Sequence, residues 1–307
     1  MIIHIAPPLA LHELGQRVNQ EDALFPPLGM ATEADRLFLV CDGMGGHEHG
    51  EVASQTVAEA MGAYIAGHLA TEAPLTDDLL GEALAAAYDQ LDARDNAADT
   101  RRMGTTMTLL CLHRSGATMA HIGDSRIYHI RPAGANTSAA IIYQSRDHSL
   151  AMDLYLAGEL TLQQMATYER RNVITRAMQP APERRFRPDI VHTTDLRPGD
   201  YFLLCSDGVV ETLTDDQLLA LIASHATDTQ KLRELQRRTA AAADNHTAYL
   251  VRITSVQEES TDVDAINDEA TSRSNLINII RTREGEAHTA ADKPASWLDT
   301  LLQKLFN

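Results

Sequence analysis

The chain has 307 residues, 44% hydrophobic and 22% charged, with 17 Gly and 11 Pro, a balance that excludes collagen-like, low-complexity and wholly disordered chains. Its 26 basic against 43 acidic residues give a net charge of −17, which disfavours general attraction to nucleic acid or an anionic membrane and requires any anionic substrate to be recruited locally. Cys41, Cys111 and Cys205 all lie in apolar runs, the pattern of reduced, buried thiols in a cytoplasmic protein rather than of a disulfide framework.

Along the chain, the apolar start from Met1 to Ala10 is broken by Pro7 and Pro8 and has no preceding Lys or Arg, so it is a poor secretory signal. No stretch approaches the roughly 18 uninterrupted apolar residues of a membrane span. Short apolar runs predict strands at 36–41, 106–112, 117–122, 126–131, 139–144, 201–206 and 247–253. Between the first two, Val52, Thr56, Val57, Ala60, Met61 and Tyr64, and then Leu80, Ala83, Leu84, Ala87, Tyr88 and Leu91, recur at helical period. Thr214 with Gln217 reads as a capping box opening a helix over 217–224, and 228–243 reads as another helix. Strands and grouped helices in this order predict an α+β fold of packed sheets covered by helices. Residues 256–273 carry Glu258, Glu259, Asp262, Asp264, Asp268 and Glu269 with few large apolar residues. The boundary is therefore expected near Thr254: a domain over 1–254, an acidic linker over 255–295, and a C-terminal amphipathic helix over 296–307. That helix carries Trp297, Leu298, Leu301, Leu302, Leu305 and Phe306 on one face. Docking on its own domain and partner recruitment both stay open for it.

The most informative feature is a series of aspartates at predicted strand ends. Residues 37–41 lead into Asp42-Gly43, 201–205 through Ser206 into Asp207-Gly208, and 117–122 into Gly123-Asp124, while Asp244-Asn245 precedes the run at 247–253. Any one pair is ordinary turn chemistry. If the strand ends converge, however, the like charges cannot all stay ionised without a cation. An all-oxygen, carboxylate-rich set suits Mg²⁺ or Mn²⁺ rather than zinc or copper, and a bridging Asp would let two ions share a hydroxide. Gly43 after Asp42 would let a backbone carbonyl approach a metal. Arg17, close in sequence to Glu21 and Asp22, adds a guanidinium fork suited to phosphoryl oxygens.

Taken in order, Arg17-xxx-Glu21-Asp22, Asp42-Gly43-Met44-Gly45-Gly46-His47, Gly104-Thr105-Thr106, Gly123-Asp124-Ser125-Arg126, Asp147-His148-Ser149, Asn172 to Ala177, Ser206-Asp207-Gly208 and Asp244-Asn245 resemble the bacterial-type members of the PPM, or phosphatase 2C, family of metal-dependent serine/threonine protein phosphatases. The resemblance covers about residues 13–253 and rests on eight ordered motifs. It implies a four-layer α-β-β-α sandwich of two mostly antiparallel sheets, with a dinuclear Mn²⁺ or Mg²⁺ site at one end. It further implies hydrolysis of phosphoserine and phosphothreonine in proteins by a metal-bridging hydroxide, without a covalent phosphoenzyme. Asp42 would bridge the metals, the Gly43 carbonyl would bind one, and Asp207 and Asp244 the other. Glu21 and Asp22 would hold metal-bound waters, Asp124 with Asp207 corresponds to a third-metal position, and Arg17 to the phosphate-binding arginine. Phosphoproteins of a cognate serine/threonine kinase are the partners it implies.

This sequence departs from the pattern at Met44, where many eukaryotic members carry a histidine proposed as general acid. His47 reads as a loop residue, and the 150–172 segment, where the family has a flap, lacks a His-Pro pair before its arginine-asparagine sequence. Arg170, Arg171, Arg176, Arg184, Arg185 and Arg187 could form a phosphopeptide-guiding patch or a solvated surface. A non-catalytic phosphoprotein-binding module is the alternative function, for which loss of a bridging acid would be the signature. A two-metal nuclease is disfavoured by the acidic balance.

Overall fold

All seven predicted apolar runs fall in two antiparallel sheets of the computed structural model, which describes residues 1–45, 49–70, 73–95, 103–180 and 185–257. The first sheet orders β1 (Ile2–Ile5), β12 (His246–Gln257), β11 (Tyr201–Cys205), β8 (Arg126–Arg131) and β9 (Ala140–Gln144), with β2 (Leu9–Glu13) also on β12. The second orders β10 (Asp189–Thr193), β7 (Gly116–Ile122), β6 (Met107–His113), β4 (Leu37–Met44) and β3 (Asp22–Phe25), with the short β5 (Gly104–Thr105) on β4.

The strands read as unbroken apolar runs because the central ones are buried on both faces. On β4, Leu37, Leu39 and Cys41 pack with the residues of α1 (His49–His68) and α2 (Asp77–Arg94), whereas Phe38 and Val40 join Phe202, Leu204, Tyr249 and Val251 of the other sheet. Between β9 and β10 the chain forms the short helices α3 (Leu150–Leu156) and α4 (Leu162–Thr167), and on the far side Tyr201, Leu203 and Cys205 of β11 pack with α5 (Asp207–Val210), α6 (Asp215–Ile222) and α7 (Asp228–Thr239). Three apolar layers therefore separate four layers of structure, the predicted α-β-β-α sandwich. The three cysteines are free and buried. Among the described residues no helix is long and apolar enough to cross a membrane.

Several elements differ from expectation. β4 continues through Asp42 and Gly43 to Met44 because β3 and β5 flank its end, so Asp42 lies within a strand rather than in a turn. The Thr214/Gln217 capping box is present, and α6 starts at Asp215. α7 stops at Thr239 although Ala240 to Ala243 favour helix. The chain turns there so that Asn245 can reach Leu14 and Asn19, a tertiary override of local propensity. The N-terminal apolar run is a strand, and its pairing with β12 carries that strand past Thr254, with Ile2 opposite Gln257 and His4 opposite Ser255. The expected linker beyond 257, the C-terminal helix and His47 lie outside the described residues.

Candidate metal centre

The predicted acids meet at one end of the sandwich. Asp22 on β3 stands opposite Asp42 on β4 in the strand register. The Asp42 amide donates to Thr106 Oγ1 at 2.9 Å, and its carbonyl accepts from the Thr106 amide at 2.8 Å and from Thr105 Oγ1 at 2.9 Å. Thr106 Oγ1 also meets Ser125 Oγ at 2.7 Å, beside Asp124. The Gly104-Thr105-Thr106 run thus clasps the backbone of one acid and braces the loop of another, a role that the sequence reading did not assign to it.

Asn245 and Ser206 are two further organising residues whose roles the sequence left unread. Asn245 Oδ1 accepts from the Glu21 amide at 2.8 Å, while its Nδ2 donates to the carbonyls of Leu14 and Asn19. Its neighbour Asp244 pairs with Arg17, Nη2 to Oδ2 at 2.6 Å. Ser206 donates to Asp22 Oδ2 at 2.8 Å and accepts from the Thr247 amide, joining the last residue before α5 to the opposite sheet. Gly43 donates to the Glu21 carbonyl at 3.0 Å. A Cβ on Gly43 would stand 2.1 Å from the Gly50 carbonyl oxygen at the start of α1, so glycine is required there for close backbone approach.

Burial and mutual repulsion work together on these carboxyls. Burial raises Asp22 to about 7, with the charges of Asp207 and Asp244 adding and side-chain hydrogen bonds opposing. Burial and then Asp207 and Asp147 raise Asp124 to about 8. Burial and Asp244 raise Asp207 to about 6. Asp42, which feels Asp22, Asp207, Asp124 and Asp244 after its own desolvation, stands well above the ordinary range.

The donor set fits divalent cations. Oδ1 of Asp22, of Asp124 and of Asp207 is each buried without a hydrogen-bond partner, although buried carboxylate oxygens ordinarily find one. Oxygen-only donors of this kind match Mg²⁺ or Mn²⁺, and Asp42 and Asp244 stand in the same electrostatic neighbourhood. Among the described residues, the set of three ligand-type side chains whose donor atoms all lie within 4.8 Å of one another is a different one, His121, His148 and Asp189. A cavity of about 850 Å³ between α2 and residues 185–190 is lined by none of the predicted ligand acids. Two of the candidate patch arginines have acidic partners: Arg185 pairs with Asp89 and Asp92 of α2, and Arg176 with Asp189.

Comparison with known proteins agrees with this architecture. The phosphatase PhpP of Streptococcus pneumoniae is 29% identical over 245 residues, covering 78% of this chain and 95% of that protein. The crystal structure of the Mycobacterium tuberculosis serine/threonine phosphatase PstP/Ppp superposes with a TM-score of 0.67 at 27% identity, covering 82% of this chain and all of that one. A catalytic domain of PstP solved in complex with two manganese ions gives 0.65 at 26% identity, over 82% of this chain and 100% of that one. Residues 12–250 match the family described as protein phosphatase 2C, and the chain belongs to that family.

Proposed function

We propose that this chain dephosphorylates phosphoserine and phosphothreonine in cytoplasmic proteins, those of a cognate kinase among them, with Mn²⁺ or Mg²⁺ held by Asp42, the Gly43 carbonyl, Asp207 and Asp244. Asp124 with Asp207 would hold a third ion. The observation that carries this reading is the set of buried, unpartnered carboxylate oxygens on Asp22, Asp124 and Asp207, converging with Asp42 beside Arg17. When bound, such cations supply an acidified water and neutralise the charge of a phosphoryl group.

The chain's own residues do the rest. Arg17, half exposed at the rim, offers its guanidinium fork to two phosphoryl oxygens. Glu21 and Asp22 orient water: the Glu21 backbone is fixed by Asn245 and by Gly43, and Asp22 is fixed by Ser206. Neither the cysteines nor Ser206 are poised as covalent nucleophiles. Burial pushes the thiols of Cys111 and Cys205 up to about 12 and that of Cys41 higher still, and Ser206 Oγ is wholly buried and bonded to Asp22. Direct attack by water on phosphorus, without a covalent phosphoenzyme, is the route proposed. Met44 has no proton to donate, and water in the site is the proton source proposed for the leaving alkoxide.

Phosphate release from a panel of phosphoserine and phosphothreonine peptides, with Mn²⁺, with Mg²⁺ and with excess EDTA, tests the proposal. Release that depends on the cation supports it, and full activity in chelator or a trapped phosphoenzyme overturns it.

A further inference from the structure

His148 lies outside the acidic centre, yet it is bonded to both of the elements that meet there. It is nearly fully buried, and its backbone amide donates to the Gly123 carbonyl at 2.9 Å while its ring Nδ1 accepts from the Gly123 amide at 3.1 Å. Both backbone groups of the residue preceding Asp124 are therefore held by one histidine. Gly123 has φ +106°, and a Cβ there would meet Thr106 Cγ2 at 2.5 Å, so the turn requires glycine at this position. Next to His148, Asp147 takes Arg126 in a two-pronged pair of 2.6 and 2.7 Å, fixing the far side of the same turn.

The other ring nitrogen faces Asp189, the first residue of β10, and Arg176. Acceptance at Nδ1 leaves the proton on Nε2, which stands 3.3 Å from Asp189 Oδ2. Arg176 Nη1 reaches Asp189 Oδ1 at 3.2 Å. The chain leaves and re-enters at this point: the Thr175 amide donates to the His148 carbonyl at 2.8 Å, the Leu150 amide to Val173, and Ser149 bridges Ile174. His121 stacks on the His148 ring at 4.6 Å and 15°, and its Nε2 is bonded to the Arg146 carbonyl at 2.8 Å.

These contacts decide between two roles for the triad of His121, His148 and Asp189. A cation would need a lone pair on His148 Nε2, which would move the proton to Nδ1 and set it against the Gly123 N–H. It would also sit beside the Arg176 guanidinium. Positioning is the role left. We propose that His148 is a positioning residue of the catalytic centre, setting the turn that carries Asp124 through Gly123 and coupling it through Asp189 and Arg176 to the base of segment 149–175. This rests on the assignment of Asp124 to a metal-binding role.

The two ring nitrogens can be separated by substitution. Asn offers an oxygen where Nδ1 stands, and Gln offers a polar group near Nε2. The test measures Mn²⁺ binding to the full chain by calorimetry, alongside phosphopeptide turnover and circular dichroism, for His148→Ala, His148→Asn, His148→Gln, Asp124→Ala and the Asp124/His148 double alanine variant. His148→Ala is expected to weaken the weakest Mn²⁺ site about ten-fold, in the range seen when outer partners of metal ligands are removed. His148→Asn should restore it to within about two-fold and His148→Gln should not, and the double variant should lose no more than Asp124→Ala alone. Equal rescue by Asn and Gln, or additive losses in the double variant, would overturn the positioning role. Wild-type Mn²⁺ binding by Asp124→Ala would instead overturn the assignment of Asp124, and the inference with it. If the alanine variant fails to fold, the Asn and Gln pair carries the same comparison.

Discussion

Arg17 Nη2 lies 2.6 Å from Asp244 Oδ2, so the guanidinium expected to receive phosphate is held by an acid expected to bind metal. The pair is partly solvent-exposed on both sides, which makes it weak enough to exchange for stronger partners. One residue thus competes with a cation for Asp244 and another competes with phosphate for Arg17.

Replacing Arg17 by Ala should raise KM for a phosphopeptide about 10- to 100-fold, the loss expected for charge-assisted hydrogen bonds to substrate. Because it also frees Asp244, it should leave Mn²⁺ affinity unchanged or tighter. Steady-state kinetics and calorimetry on the same preparation check both halves, and weakened Mn²⁺ binding would mean that Arg17 braces the centre instead.

Asp207→Asn removes one ligand charge from a nearly isosteric side chain. Turnover at limiting Mn²⁺ should fall by about 100-fold or more, since even indirect partners of metal ligands are worth 10–100-fold, with the circular dichroism spectrum unchanged. Wild-type turnover at limiting Mn²⁺ would remove Asp207 from the ligand set.

The cation-free protein should lose stability as pH rises through about 7 to 8.5. Asp22 and Asp124 titrate near 7 and 8 in the folded chain but near 4 when unfolded, so the native state binds more protons across that window and the slope of stability with pH is negative. His121 and His148, lowered by burial, contribute the opposite slope only below about pH 6.5. Thermal melts in EDTA between pH 7 and 8.5 should show a falling Tm, flattened by saturating Mn²⁺ and reduced in Asp124→Asn. A rising Tm in EDTA would contradict the raised values.

Thr106→Val deletes the oxygen that accepts from the Asp42 amide and meets Ser125. The buried donor left behind should cost about 1–3 kcal/mol and lower turnover, and Thr106→Ser should recover most of both. Urea denaturation of the two variants, with turnover measured in parallel, distinguishes the hydroxyl from mere bulk.

Truncation after Gln257 should leave hydrolysis of a small phosphate ester nearly unchanged, because every predicted ligand precedes that point. Truncation after Thr254 removes the partners of Ile2, Ile3 and His4. It should lower Tm by several degrees, at about 2–4 °C per kcal/mol for a domain of this size. Equal melting of the two chains would show that the β1 pairing adds no stability.

The sequence by itself determined the layers and the acids. Runs such as 37–41 and 201–205 are apolar at every position because both faces are buried, and the grouping of strands and helices along the chain pointed to packed sheets covered by helices. Aspartates next to such runs had to stand at or near the strand ends, although Asp42 proved to lie within β4, and their order carried the family. Tertiary structure alone decided what holds each acid. Thr106 lies 64 residues from Asp42 and Asn245 lies 224 residues from Glu21, separations at which no local period or spacing carries information. The same holds for His148, whose partners Gly123 and Asp189 follow the end of β7 and open β10, and for Ile2, whose strand needs Gln257 across the register. Local propensity is written in neighbouring residues. Hydrogen-bond satisfaction in a buried centre is settled only when distant strands meet and each donor must find an acceptor.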